Sequence, residues 1–257
     1  MFNWLKSKTN ALDVSLPAAP PPAAPIGPLE QALALRLEGN AWLDKGHAAA
    51  AAASYEKSVA LDPNAVDGRI NLGFALAEQS CFDEALPHLL EAVRLDPDSI
   101  DAHYILGTVQ QARQEHGAGI EAWRRTLVLK PDFDECRRSL IVAFVQSGDL
   151  SGAENVARDG FVASPGQADF PYLLGNIHTT RSESDQAIES YAKALAIDPK
   201  HGQALLAKGE ALKAQGEALK AQGKLTEAIE SHRRSVTLNP ASADARARLA
   251  ADRKSVV

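Results

Sequence analysis

Seven histidines, two cysteines and 33 acidic residues are the side chains of this 257-residue chain that could carry metal, nucleophilic or acid–base chemistry. Their spacing argues against all three. His47, His88, His103, His116, His178, His201 and His232 are scattered, with no His-x-x-x-His pair and no Cys/His cluster at metal-ligand spacing. Cys81 and Cys136 form no Cys-x-x-Cys motif, so both are expected to be free thiols, buried or half-buried. No glycine-rich phosphate loop and no Gly-x-Ser-x-Gly elbow occurs. The carboxylates are spread along the chain as solvated helix surfaces would have them. The expectation is a protein that is not an enzyme and holds no cofactor and no metal. A net charge of -6 argues against nucleic acid as a partner, because phosphate binding rests on clustered Lys and Arg. No apolar run reaches the length of a membrane span, so no transmembrane segment is expected. Lys6 and Lys8 have no apolar run after them, which excludes a secretory signal and makes the cytoplasm the expected location.

The chain is organised by a ladder of prolines. Pro63, Pro97, Pro131, Pro165 and Pro199 stand 34 residues apart, and Pro240 follows after 41. Gly39, Gly73, Gly107, Gly175 and Gly209 keep the same frame, broken by Ile141. Two residue types sharing one period mark a repeat array. Each unit carries two apolar stripes at helical spacing. In Val66–Ser99 the first stripe is Ile70, Leu72, Gly73, Leu76 and Ala77. A turn at Ser80-Cys81 leads to the second, Ala85, Leu86, Leu89, Ala92, Val93 and Leu95. Asp83 and Glu84 are expected to cap the second helix, and Pro97 to stop it. Small residues recur at the eighth, twentieth and twenty-seventh positions, where helices must approach closely. Tyr55, Leu89, Trp123 and Tyr191 fill the gaps between them. Aromatic content of 5% leaves the rest of the core to Ala, Leu, Val and Ile.

Three places depart from the pattern. The fourth unit has Ile141 for Gly, Ala157 for a large residue, and Gly160 inside its second helix, which predicts the softest part of the array. The sixth carries the tandem repeat Gly209–Gln215 and Gly216–Gln222. Seven residues are nearly two helical turns, so a lengthened first helix is preferred to a bulge. Residues 1–28 combine an apolar tip, Phe2, Trp4 and Leu5, with a Pro/Ala-rich linker. After Pro240, Ala243–Lys254 reads as a capping helix with a polar face of Asp244, Arg246, Arg248, Asp252 and Arg253.

The run Leu72-Gly73, Leu76, Phe82, Ala85, Leu89, Ala92, Pro97 resembles the tetratricopeptide repeat. The resemblance covers six units, 32–65, 66–99, 100–133, 134–167, 168–201 and 202–240, within a repeat region of 29–240 followed by a cap and tail at 241–257. It implies an all-α fold, a right-handed α-solenoid of antiparallel helix pairs. In that family the first helices line a concave groove. Residue by residue, the groove positions here fall on Arg36, Asn40, Asn71, Phe74, Tyr104, Thr108, Gln111, Arg138, Tyr172 and Asn176. Asn donates and accepts at once, which suits the amides of an extended peptide, and Tyr adds apolar area with a polar tip. The implied function is a scaffold or adaptor that holds a protein or peptide ligand in the groove, with weak self-association as a further partner. The carboxylate clamp of some co-chaperone repeats is incomplete here. Arg36, Asn40 and Asn71 match its first three positions, but Asp101 and Ile105 stand where two basic residues belong. The repeats are also similar to those preceding the catalytic region of O-linked N-acetylglucosamine transferases, which gives an alternative function as a substrate-presenting arm. No catalytic domain is expected in the seventeen residues after Pro240. A third reading is recruitment to a membrane through Phe2–Leu5.

Overall fold

The computed structural model describes residues 27–254. The tip at Phe2, Trp4 and Leu5 and most of the Pro/Ala linker lie outside the described residues. Every regular element among the described residues is an α-helix, and the chain divides into two compact units, Met1–Lys130 and Pro131–Val257. The first holds α1 (Pro28–Asp44), α2 (Ala48–Leu61), α3 (Val66–Glu78), α4 (Phe82–Leu95), α5 (Ile100–Ala112) and α6 (His116–Leu129). The second holds α7 (Asp134–Gln146), α8 (Leu150–Ala163), α9 (Asp169–Thr180), α10 (Ser184–Ile197), α11 (Gly202–Ala221), α12 (Leu225–Leu238) and α13 (Ala243–Lys254).

Backbone chemistry sets the ends of these helices. The second helix of every pair ends two residues before a ladder proline. The residue between is forced extended by the proline ring, with φ from −124° to −136° at Asp62, Asp96, Lys130, Ser164, Asp198 and Asn239. Between paired helices the chain reverses through one left-handed residue. Gly46, Gly148 and Gly223 take that position in three pairs, whereas Ser80, Gln114 and Ser182 adopt φ of 62–65° in the others. The expected cap at Asp83 is shifted. α4 begins at Phe82 behind Cys81, whose side chain makes no capping bond. Asp83 and Glu84 therefore sit in the first turn, where they act on the helix dipole, and Asp83 pairs with Arg113.

Packing within a pair rests on the eighth-position glycine. A Cβ built at Gly39 would stand 2.4 Å from the Tyr55 ring, and one at Gly175 would stand 2.3 Å from the Tyr191 ring. Gly73 meets Leu89 in the same way, and Gly107 meets Trp123. The fourth pair exchanges the sizes. Ile141 and Ala157 hold these two positions and are 1% and 0% exposed. Phe170 and Arg137 lie over Gly160 and fill its missing Cβ. The softness expected of this unit rested on these exchanged sizes and on the helix-propensity cost of Gly160; the exchanged side chains are buried and the space beside Gly160 is filled.

The duplication lengthens a helix. α11 runs unbroken through both copies for 20 residues. Its glycine opposite the large residue of α12 is Gly216, whose Cβ would stand 2.4 Å from His232, and not Gly209 of the ladder, whose nearest neighbours lie at 3.9 Å. The hydrogen bond from Ser235 Oγ to Gly209 O repeats the bond from Ser58 Oγ to Ala32 O in the first pair, which fixes α12 on the second copy. Toward α10 the same helix uses the first copy. Ala204 packs with Ala168 and Ala194, while Ala211 and Leu212 pack with Ala187, Ile188 and Tyr191. One helix thus serves two neighbours in registers seven residues, about 10 Å, apart.

The polar face expected for α13 needs one correction. Asp252 is fully buried, with His232 Nδ1 at 2.6 Å and Lys220 Nζ at 2.7 Å. Burial pushes its carboxyl pKa up, but the hydrogen bonds from Lys220 and His232 outweigh burial and hold it below the usual value. His232 is the structural histidine of this contact.

Two stability measurements test these assignments. Gly209→Ala is expected to stabilise the protein by up to about 1 kcal/mol through helix propensity. Gly216→Ala is expected to destabilise it by about 1–3 kcal/mol by overpacking against His232. Equal effects in denaturant unfolding would contradict the register. Ser182→Gly is expected to raise stability by up to about 1 kcal/mol, since a non-glycine left-handed residue costs about 1–2 kcal/mol and glycine's greater unfolded freedom returns part of the gain.

Candidate functional site

The polar side chains on the first-helix faces are oriented from below by the second helices. In the first pair, the gap at Gly39 lets the Tyr55 ring pass between the helices, and its hydroxyl donates to Asn40 Oδ1 at 2.7 Å. Asn71 Nδ2, from the next first helix, donates to the same oxygen at 3.2 Å. In the fifth pair, Tyr191 passes Gly175 and donates to Asn176 Oδ1 at 2.9 Å, with Thr179 Oγ1 also at 2.9 Å from its hydroxyl. Both asparagine oxygens are thereby engaged as acceptors, which leaves each amide its Nδ2 group as donor on a partly exposed residue. Burial, assisted by the Asp44 charge, raises the Tyr55 phenol pKa far above its ordinary range. Burial raises Tyr191 too, against a smaller lowering by Thr179. Both hydroxyls stay protonated at neutral pH and remain donors.

The remaining expected site residues divide. Arg36 is half-buried and pairs with Asp67 at 3.5 Å; Arg138 pairs with Asp169 at 3.4 Å. Exposed pairs of this kind contribute about 0–1 kcal/mol, so a ligand carboxylate can compete for either guanidinium. Tyr172 is half-exposed, its ring 5.1 Å from His201 and 6.0 Å from Tyr191. Gln111 is tied to the start of α6, donating to His116 O at 3.0 Å. Phe74, Tyr104 and Thr108 are 0%, 2% and 8% exposed, so a ligand resting on the surface does not reach them. Thr108 Oγ1 donates to Tyr104 O, as does Trp123 Nε1. Ile105 is buried at 0%, and no basic side chain completes a carboxylate clamp there. Sequence reasoning placed Tyr55 and Tyr191 as fillers and missed their hydroxyls. The signal was present as Gly-Asn followed fifteen residues later by Tyr, at Gly39-Asn40…Tyr55 and again at Gly175-Asn176…Tyr191.

Among the described residues no group of three potential metal ligands occurs. Cys81 is half-buried and Cys136 buried, and the two are not joined in a disulfide. No described helix is long and apolar enough to cross a membrane.

The buried phenols make a pH prediction. Their folded pKa values lie above the unfolded value of about 10, so the unfolded chain ionises first. The stability they contribute is intact below about pH 10 and is lost as pH rises beyond it. Denaturant unfolding across that range is expected to show a fall that is shallower in Tyr55→Phe/Tyr191→Phe. An unchanged slope would mean that the two hydroxyls are not shielded.

A family model described as Tetratricopeptide repeat matches residues 36–100, 70–132 and 138–202, more than half of the chain. Tetratricopeptide repeat protein 6 of Homo sapiens is 23% identical over 172 residues, 65% of this chain and 33% of its own length. The small glutamine-rich tetratricopeptide repeat-containing protein of Dictyostelium discoideum is 25% identical over 166 residues, covering 65% of this chain and 47% of its own. This chain therefore spans less than half the length of either relative. Among solved structures, YrrB, described as a TPR protein with an unusual peptide-binding site, is 25% identical with a TM-score of 0.59. That match covers 69% of this chain and 91% of YrrB. Helix pairs closed by prolines, a glycine under the large second-helix residue in five of the six pairs, and the extent of the family match lead to one conclusion: the chain belongs to the tetratricopeptide repeat family.

Proposed function

We propose that this protein is a non-catalytic adaptor that holds an extended segment of a partner protein against its first-helix faces. The observation that carries the reading is the fixed orientation of Asn40 and Asn176. Each is held through Oδ1 by a buried tyrosine hydroxyl and keeps Nδ2 as a donor on a partly exposed residue. An amide held this way donates to the backbone carbonyls of an extended chain at little entropic cost, because its rotamer is already set. Arg36 stands one turn from Asn40 along α1, and Arg138 of α7 is linked to α9 through Asp169; each adds a charge-assisted contact for a carboxylate on the ligand. The peptide-binding site described for the similar YrrB structure supports the same use of the fold.

The test is a paired affinity capture with the whole chain and with Asn40→Ala/Asn176→Ala, helicity being checked by circular dichroism. Each lost donor is expected to weaken partner binding about five- to tenfold, in line with about 1–1.5 kcal/mol per hydrogen bond. Partners retained in full by the folded variant would remove the asparagine faces as the binding surface.

A further inference from the structure

α13 is held to the array by charge more than by apolar area. Among its described side chains only Ala245 and Asp252 are buried, and Arg248 and Leu249 are partly so. A helix of 12 residues is marginal on its own in water, so α13 depends on what Asp252 meets. The two seven-residue copies in α11 show how that contact is made. In the first copy, Glu210 and Lys213 pair with each other along the helix. The matching residues of the second copy, Glu217 and Lys220, reach across to α13 instead. Arg248 lies 2.5 Å from Glu217, and Lys220 lies 2.7 Å from Asp252. His232 of α12 completes the socket around the carboxylate.

Both nitrogens of the His232 ring face oxygen. Nδ1 lies 2.6 Å from Asp252 Oδ2, while Nε2 lies 3.2 Å from Lys213 O and 3.6 Å from Glu217 Oε1. Carbonyl and carboxylate oxygens only accept. Against the effect of burial, the hydrogen bonds from Lys220 and His232 keep the Asp252 carboxyl ionised. Each ring nitrogen must then carry a proton. Burial of the pair requires the same. The His232 and Asp252 side chains are both 0% exposed, whereas those of Lys220 and Arg248 are 39% and 36% exposed and share their charge with water. An imidazolium beside a carboxylate is a neutral buried pair. An imidazole there leaves a buried charge without its equal. It also turns a nitrogen lone pair on an oxygen, either of Asp252 or of Lys213.

We infer that α13 is a proton-gated cap, docked while the His232 ring carries two protons and released from α11 and α12 when one is lost to solvent. Among side chains, only histidine ordinarily changes charge between about pH 5 and 8. The charged groups around the ring are Asp252 and Arg248 from α13, and Glu217 and Lys220 from α11, with Lys213 of α11 paired to Glu210. On α12 itself, Arg233 and Glu230 pair with each other on the exposed side. None of these is a second histidine, so a single ring sets the gate. The direction follows from the proton count. The end of the array is closed on the acid side of the histidine range. On the alkaline side Asp252 leaves as a hydrated carboxylate, and His232 and the second copy of α11 are uncovered.

The test is hydrogen exchange of the whole chain, read by mass spectrometry from about pH 5 to about pH 8 and corrected for the intrinsic pH dependence of exchange. The ring protons are read in parallel by NMR of protein labelled with heavy nitrogen at histidine. Both nitrogens of His232 are expected to be protonated at the acid end. Protection of α13 is expected to fall at least about tenfold as the ring loses a proton, with α12 still protected. His232→Leu supplies a residue that already fits over a glycine in the second pair, where Leu89 lies on Gly73. It is expected to leave α13 unprotected at every pH. His232→Gln keeps a donor toward Asp252 but does not titrate, so its protection of α13 should not vary with pH. Constant protection of α13 while the ring titrates would overturn the inference. So would a single ring proton throughout, full protection in His232→Leu, or pH-dependent protection in His232→Gln. Asn40 and Asn176 play no part in this contact, so its failure leaves the asparagine reading to its own result.

Discussion

The close approach of two helices over a missing Cβ is the constraint on which this molecule depends. A pair of thirteen- or fourteen-residue helices has too little surface to bury a core by itself, so each pair must bring its backbones near enough for one large side chain to reach across. The glycine at the eighth position makes that reach possible. What crosses the gap varies among tyrosine, leucine, tryptophan and histidine. The fourth pair inverts the arrangement, with isoleucine on one helix and alanine on the other. What is conserved between pairs is therefore a summed volume rather than a residue type, as close-packed interiors require.

The same approach links packing to recognition. Where the crossing residue is tyrosine, its hydroxyl emerges on the far side and meets the next residue after the glycine, Asn40 or Asn176. Where it is leucine or tryptophan, no such hydroxyl arrives, and the ninth position is Phe74 or Thr108, both buried. Core and surface are thus chosen together: a tyrosine inside goes with an asparagine outside. The charged residues follow a looser rule. Arg36 with Asp67 and Arg138 with Asp169 join successive first helices at the fifth and second positions, an inter-repeat pairing that orients side chains more than it stabilises them.

Much of this was readable from residue order. Proline fixes its own φ and constrains its predecessor, so the ends of six helices could be placed without coordinates. Glycine spacing gave the close contacts, with one exception in the sixth unit. There the ladder pointed to Gly209 while the contact falls on Gly216, because two identical seven-residue copies look alike until α12 selects one. Asp252 was misassigned to solvent because a carboxylate on a terminal helix is usually wet. Its partners, Lys220 and His232, come from other helices and are invisible to a local pattern. The site was less legible than the fold. Position within a repeat told which side chains share a face. It did not tell that Phe74, Tyr104 and Thr108 are buried while Val142 at the matching position of α7 is 47% exposed. The left-handed turn residues fall between these cases. Ser80, Gln114 and Ser182 satisfy the geometry but carry no composition signal for it, unlike Gly46, Gly148 and Gly223.

α11 shows how an array of this kind can change length. At 100° per residue, an insertion of seven turns the helix through nearly two full rotations and leaves its faces within about 20° of where they were. Eleven residues come back to within about the same angle, whereas five or six would swing the apolar stripe about 120–140° from its partners. Copying errors in the coding sequence arise at many lengths, but the packed helix tolerates only those near whole turns. The tandem copies at Gly209–Gln222 record one that passed this filter. Repeat proteins built this way are expected to accumulate length in discrete steps, with each step displacing everything beyond it along the helix axis and not around it.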